Sequence, residues 1–216
     1  MKLYSYFRSS ASYRVRIALA LKHLAYDYLP VHLAKGEQRE SAFAAVSADR
    51  LVPVLEVDGV RLSQSLAIIE YLDDVHPEPR LLPAEPLARA QVRALAQSIA
   101  CEIHPINNLR VLRYLAQELR VDDAAKNTWY RHWCRAGLEA FERQLVQLRA
   151  AHGPATYCLG EQPTLADCCL VPQIFNAQRF AVDLSGLPLT MAAYEAGMAL
   201  PAVQQAQPSA CPDFEA

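Results

Sequence analysis

Apolar and polar positions alternate over the first seven residues, Met1 to Phe7, as they do in a strand with one buried face. Ser9-Ser10-Ala11-Ser12 follows and supplies several candidate N-caps. Tyr13 to Lys22 is then rich in helix formers and carries Lys22 near its end, which predicts a helix. Tyr26 to Leu33 has the texture of a second strand, so the chain opens with a strand–helix–strand unit. A short polar helix is expected from Gln38 to Val46. Val52 to Val57 and Val60 to Leu62 are apolar runs joined by Asp58-Gly59, a dipeptide that favours the tight turns of hairpins. Ser65 to Val75 reads as a helix with Leu66, Ile69, Tyr71 and Leu72 among its apolar positions.

The texture changes after His76. Pro77, Pro79 and Pro83 fall within eight residues, and proline cannot continue a helix. From about residue 86 to 150 the chain is rich in Ala, Leu, Arg and Gln at helical spacing. Thr164-Leu165-Ala166-Asp167 has the form of a capping box and opens an apolar helix running towards Ala177. No comparable strand signal occurs after residue 83. The expected architecture is an α+β domain over residues 1–76, a proline-rich linker over 77–85 and an all-α domain over 86–216.

Composition narrows the function classes. The chain has 216 residues, 52% hydrophobic and 20% charged, with a net charge of -2 and no long run of one sign. This argues for a folded protein and gives no electrostatic case for nucleic-acid or membrane partners. No apolar run approaches the roughly 20 residues of a membrane helix. The opening residues read as a strand rather than a secretion signal, so a cytoplasmic location is expected. None of the six cysteines forms a CxxC pair, and their spacing matches no zinc site, so no metal is expected. Free buried thiols in a reducing compartment fit them best.

Three places could carry chemistry. Val52-Pro53 puts a proline at a strand start, where it removes a ladder donor; it is either an ordinary edge proline or a bend that exposes the backbone of Val52. Gln64-Ser65 begins a helix, where a hydroxyl and unpaired N–H groups can cap the helix or receive a carboxylate. Ser9 to Ser12 sits at the first strand–helix junction, where a hydroxyl and the positive end of a helix would favour a thiolate. No Gly-x-Ser-x-Gly elbow is present, which argues against a serine hydrolase triad.

The segment Arg8-Ser9-Ser10-Ala11-Ser12-Tyr13-Arg14-Val15-Arg16-Ile17-Ala18-Leu19-Ala20-Leu21-Lys22 resembles the signature of zeta-class glutathione transferases. That class includes the maleylacetoacetate and maleylpyruvate isomerases. Gln64 to Leu72 and Leu165 to Gln173 are similar to the same class, and the resemblance covers nearly the whole chain. Ala11 stands where the signature has cysteine, and Ser47-Ala48 stands where the family has Asn-Pro.

The resemblance implies a thioredoxin-like N-terminal domain and an all-helical C-terminal domain, the glutathione-transferase fold, assembled as a homodimer. It implies glutathione as cofactor, with Ser9 stabilising the thiolate and Ser10 beside it. Gln38, Val52, Gln64, Ser65, His104 and Asn108 would be glutathione ligands. Arg8, Arg110 and Arg179 would bind the carboxylates of a small dicarboxylate substrate. The implied reaction is cis–trans isomerisation of maleylacetoacetate to fumarylacetoacetate by reversible thiolate addition to the alkene. The alternatives are maleylpyruvate isomerase, a broader transferase that conjugates electrophiles, and a non-catalytic binding protein reusing the fold.

The segment from His104 to Arg110 poses a geometric question. His104 and Asn108 are four apart, hence on one helix face, but Pro105, Asn107 and Asn108 are poor interior helix residues, so a kink is expected. Arg110, two residues later, would point elsewhere on an ideal helix. A distorted helix, a dimer partner or a plain surface role for Arg110 each resolves this. Arg179 closes the capping-box helix, so it either complements that helix end or anchors a carboxylate.

Overall fold

A computed structural model of the chain describes residues 1–215. Those residues form two compact units. The first comprises Met1–Leu82 together with the chain from Met198 onward, and the second comprises Pro83–Gly197.

The first unit holds a four-stranded sheet in the order β2-β1-β3-β4. Strand β1 (Lys2–Ser5) runs parallel to β2 (Asp27–Pro30) and antiparallel to β3 (Val54–Val57), which pairs antiparallel with β4 (Val60–Ser63). Leu3 lies opposite both Tyr28 and Leu55, so an apolar row crosses the sheet. The hairpin turns at Asp58 (φ 50) and Gly59 (φ 80), two left-handed residues that match the twist of the flanking strands. Helix α1 (Ser10–Leu21) is buried along most of its length and packs on α3 (Ser65–Val75) and on α10 (Pro201–Ala206). Val15, Leu19, Ile68, Ile69 and Leu72 are fully buried there.

The expected helix from Gln38 to Val46 is instead broken in two. A 3-10 turn spans Glu37–Arg39, and the short helix α2 spans Ser41–Ala44. Glu40 between them is extended (φ -67, ψ 149), so the polar stretch makes a corner rather than one helix.

Helix α1 contains basic residues that its burial would ordinarily forbid. Arg16 is 1% exposed, and its guanidinium is held by neutral oxygens. Its Nε donates to Ala206 O (2.9 Å), Nη1 to Ser5 Oγ (3.2 Å) and Tyr6 O (3.4 Å), and Nη2 to Phe7 O (3.0 Å). Four acceptors replace the water lost on burial. Lys22, at the end of the same helix, donates to Asp73 Oδ1 (2.7 Å), His76 O (2.7 Å) and Pro79 O (2.8 Å). The Asp73 carboxylate also accepts from Leu81 N (2.7 Å) and Leu82 N (3.1 Å). The pair therefore ties the proline-rich segment to α1 and α3.

The second unit is helical: α4 (Pro86–Gln97), a π-helical turn (Ser98–Ile103), α5 (His104–Ile106), α6 (Leu109–Gln117), α7 (Asp123–His152), α8 (Leu165–Arg179) and α9 (Pro188–Met198), whose last residue falls in the first unit. The capping box opens α8 as its spacing predicts: Asp167 Oδ2 accepts from Thr164 N (2.8 Å) and Thr164 Oγ1 (2.7 Å), and Oδ1 from Cys158 N (2.9 Å). The buried Glu142 of α7 does the same for α9, accepting from Leu189 N (3.0 Å), Thr190 N (2.8 Å) and Thr190 Oγ1 (2.6 Å). No helix among the described residues is long and apolar enough to cross a membrane.

The Lys22–Asp73 pair makes a direct prediction. The two side chains are 0% and 6% exposed, so removing one partner leaves a buried charge and several backbone groups unpaired. Asp73→Ala should destabilise the protein by about 3–5 kcal/mol in urea unfolding followed by circular dichroism. A loss below about 1 kcal/mol, the scale of a surface pair, would contradict this account.

Candidate active site

The three loops singled out by the sequence all belong to the first unit, and each is built differently. Ser9 is the N-cap of α1, with extended backbone (φ -73, ψ 118). Its Oγ accepts from Ser12 N (3.2 Å), its N–H donates to Tyr6 O (3.0 Å) and its C=O accepts from Tyr13 N (2.9 Å). The hydroxyl proton is therefore the polar group that Ser9 has left to give, at the positive end of a helix. Ser10 is the first residue of α1 and is 5% exposed, whereas Ser9 is half-buried. Arg8 is exposed, with its guanidinium 5.0 Å from the centre of the Phe7 ring. Ala11 offers no side-chain donor.

Val52 precedes Pro53 through a cis peptide bond and is buried. Ser47 shapes the loop before it. Its Oγ donates within reach of Asp49 Oδ1 (2.7 Å) and Leu51 O (3.0 Å), and accepts from Leu51 N (3.1 Å). The Ser47-Ala48 departure thus keeps a side chain that closes this turn. Among the described residues, the backbone of Val52 makes no hydrogen bond within the protein.

Gln64 has φ 68 and ψ 114, a left-handed conformation rarely adopted by a residue with a side chain. It is exposed, and it delivers the chain into α3 with the buried Ser65 as the first helical residue. Arg14 Nη1 donates to Ser65 Oγ (3.2 Å), and Arg14 is 2% exposed. A guanidinium therefore lies under the N-terminal end of α3 and adds positive charge to the helix field. Sequence reasoning missed Arg14 as a contributor. The available signal was an arginine in a helix otherwise made for burial.

The remaining candidates lie in the second unit, and there the kink expected after His104 is a complete break. His104 and Asn108 do not share a continuous helix. Helix α5 ends at Asn107 (φ -115, ψ 6), and Asn108 is extended (φ -77, ψ 166). Asn108 is the N-cap of α6, its Oδ1 accepting from Arg110 N (3.1 Å) and Val111 N (3.2 Å). A new helix starts there because asparagine caps a helix well and is a poor residue for a helix interior. The distortion foreseen for Arg110 is therefore a full break, and Arg110 is an exposed residue in the first turn of α6. With its oxygen committed, Asn108 has its amide N–H groups to offer a ligand.

Two contacts hold this segment. Trp129 Nε1 donates to Ile106 O (3.0 Å). Gly137 of α7 faces Ile103, where an added Cβ would meet Ile103 Cγ1 at 2.3 Å. Glycine is required at that position for α7 to approach the residue before His104. Arg179 lies at the exposed end of α8, donating to Asn176 Oδ1 (3.0 Å), with its guanidinium 6.0 Å and 5.9 Å from the Phe175 and Phe180 ring centres.

Each unit leaves polar atoms that groups of the glutathione implied by the sequence could satisfy. Among the described residues, Gln38 Oε1 of the first unit is buried without a hydrogen-bond partner, as are both amide atoms of Asn107 in the second. Unpaired buried polar atoms are costly, so such positions call for a ligand or ordered water. Five of the protein's six thiols are poor rivals, while Cys101 is exposed. Cys134, Cys158, Cys168, Cys169 and Cys211 are buried, and burial pushes Cys134 up to about 12. No cluster suited to a metal ion occurs among the described residues.

Residues 1–74 match the family model of the glutathione S-transferase N-terminal domain, and residues 123–197 match that of the C-terminal domain. The chain is 49% identical to a probable maleylacetoacetate isomerase of Vibrio cholerae, over 98% of this chain and 97% of that one. It superposes with a TM-score of 0.95 on the holo structure of a maleylpyruvate isomerase described as a bacterial zeta-class glutathione S-transferase, at 46% identity and full coverage of both chains. It also superposes, with a TM-score of 0.86, on the maleylacetoacetate isomerase of Anaeromyxobacter dehalogenans with dicarboxyethyl glutathione and citrate bound in its active site. That protein is 42% identical, with 100% of this chain and 97% of the other covered.

Proposed function

The chain belongs to the glutathione S-transferases, in their zeta class, and from that premise we propose that it isomerises maleylacetoacetate to fumarylacetoacetate with glutathione as cofactor. The observation that carries this reading is Ser9. It caps α1 with its oxygen engaged by Ser12 N and keeps a hydroxyl proton to donate. When bound, glutathione supplies a thiolate that adds reversibly to the maleyl alkene, turning the double bond into a rotatable single bond. The cofactor is released unchanged, which is what an isomerase requires.

In this reading Ser9 holds a hydrogen bond on the thiolate, and the N-terminal end of α1 lowers the cost of its charge. Ser10 supports the turn. Gln64 and Ser65 hold the γ-glutamyl end at the start of α3, with the Arg14 guanidinium behind Ser65. Val52 pairs through its backbone. Gln38, His104 and Asn108 complete the cofactor's ligands, Asn108 through its amide nitrogen. Arg8, Arg110 and Arg179 take the substrate's carboxylates, because a fixed guanidinium is the best partner for a carboxylate at a developing enolate. The Arg179 guanidinium also lies 6.0 Å and 5.9 Å from the Phe175 and Phe180 ring centres. The dicarboxyethyl glutathione bound by the Anaeromyxobacter protein is a glutathione conjugate of the kind such a site would accommodate. A homodimer and a cytoplasmic location belong to the same proposal.

A second reading, maleylpyruvate isomerase, is favoured by the TM-score of 0.95 to an enzyme of that name. Both substrates present a maleyl end, and they differ in how far away the second carboxylate lies. Specificity constants for the two acids decide between them. A preference of about ten-fold or more for maleylpyruvate, about 1.4 kcal/mol in transition-state binding, would select the second reading.

Ser9→Ala should lower turnover by roughly ten- to a hundred-fold, the worth of one hydrogen bond to a charged group, and raise the pKa of the bound thiol. Ser10→Ala should change both much less. Loss confined to Ser10→Ala would move the role one residue along.

A further inference from the structure

The end of the chain returns to the first unit and touches the loop that carries Ser9. Asp213 Oδ2 accepts from Phe7 N (3.1 Å), and Oδ1 accepts from the Tyr28 hydroxyl (2.6 Å). The Phe214 ring meets Phe7 edge-on, at 5.6 Å and 83°. Cys211 belongs to a buried cluster with Tyr6, Phe7 and Val52, so the tail, the serine loop and the Val52 loop share one core. Beyond it, Glu215 bonds His32 Nε2 (3.1 Å) and Lys35 Nζ (2.5 Å) and pins the tail at a second place.

We propose that Asp213 is a positioning residue for Ser9. The inference rests on the reading of Ser9 as the thiolate's hydrogen-bond donor. Phe7 is gripped on both sides of its backbone: Asp213 takes the N–H, and Arg16 Nη2 gives to the C=O (3.0 Å). The turn that follows closes through Ser9 N to Tyr6 O (3.0 Å). The direction in which Ser9 enters α1 is therefore set by how the peptides of Tyr6 and Phe7 are held. Aspartate suits the task because its two carboxylate oxygens answer two donors at once. The donors come from different strands of the sheet's neighbourhood, the end of β1 and β2 itself. Burial and the Asp213 hydrogen bond push the Tyr28 phenol up, so it stays protonated and keeps donating. Without the carboxylate, the buried Phe7 N–H loses its partner and the turn gains freedom where Ser9 must be fixed.

The experiment compares Asp213→Ala, Asp213→Asn, Ser9→Ala and the Ser9→Ala/Asp213→Ala double variant in the full chain. Three readouts are used: amide hydrogen exchange across Phe7 to Ala11 without glutathione, the pKa of bound glutathione from its ultraviolet thiolate absorbance, and kcat with KM. Asp213→Ala should speed exchange at Phe7, raise the thiol pKa and lower kcat by about three- to ten-fold, leaving KM for glutathione within about two-fold. Asp213→Asn retains an acceptor for Phe7 N and should restore most of each. In the Ser9→Ala background, loss of Asp213 should move the thiol pKa no further. If Ser9→Ala alone leaves the thiol pKa unchanged, the reading of Ser9 fails and this inference with it. If Ser9→Ala raises it and Asp213→Ala does not, or if the two effects simply add, the inference alone is overturned. Should Asp213→Ala fail to fold, Tyr28→Phe, which frees the carboxylate's other oxygen, must shift the thiol pKa in the same direction, and no shift would overturn the proposal.

Discussion

The first unit depends on one buried cation. Arg16 sits in the middle of α1, and its guanidinium is satisfied by neutral acceptors of Ser5, Tyr6, Phe7 and Ala206. Those acceptors belong to β1, to the loop before Ser9 and to the end of α10. A planar fork with five donors can serve such scattered acceptors; a lysine ammonium in the same place could not reach them from one position. The Tyr6 carbonyl also accepts from Ser9 N, but losing the guanidinium would take the partner from the Phe7 and Ala206 carbonyls, at a cost of about 1–3 kcal/mol apiece. The strand, the serine loop and the tail are therefore held as a set. This is why an arginine is tolerated in a helix whose neighbouring residues, Val15, Ile17 and Leu19, are almost fully buried.

The candidate residues stand where regular structure begins. Ser9 and Ser65 in the first unit, and Asn108 in the second, stand at or beside helix N-termini, where backbone donors lack intrahelical partners. Such positions can receive an anion without a dedicated charged side chain. The arrangement stores strain at Gln64, whose φ of 68 is unfavourable for a residue with a side chain. The hairpin on one side and α3 on the other hold that conformation. Behind these ends lie cations that the ligand need not touch, with Arg14 under Ser65 and Arg16 under the Phe7 carbonyl.

Much of this was legible in the chain because the signals were local. Asp58-Gly59 specified its own turn, Ser65 to Val75 formed the helix its periodicity predicts, and Thr164 with Asp167 made the capping box that its spacing predicts. What was not legible depends on distant partners or on competing local choices. Glu40 breaks the stretch after Gln38 because its extended backbone turns a corner that no residue type announces. Asn108 could sit in a kinked helix or start a new one, and the residue types around Pro105 announce the disturbance without saying which. The role of Arg14 depends on α3, whose first residue Ser65 it meets from 51 positions away. Asp213 had no visible role because its partners, Phe7 and Tyr28, lie at the far end of the sequence.

The central claim is that this fold uses glutathione as a recycled thiolate and not as a consumed substrate. The most direct measurement follows maleylacetoacetate isomerisation by absorbance with glutathione far below substrate, without glutathione, and with S-methylglutathione, which has no thiol. The account predicts many turnovers per glutathione in the first case, none above background in the other two, and full recovery of free thiol at the end. Isomerisation that proceeds equally well without glutathione, or glutathione consumed one for one into a thioether, would contradict it.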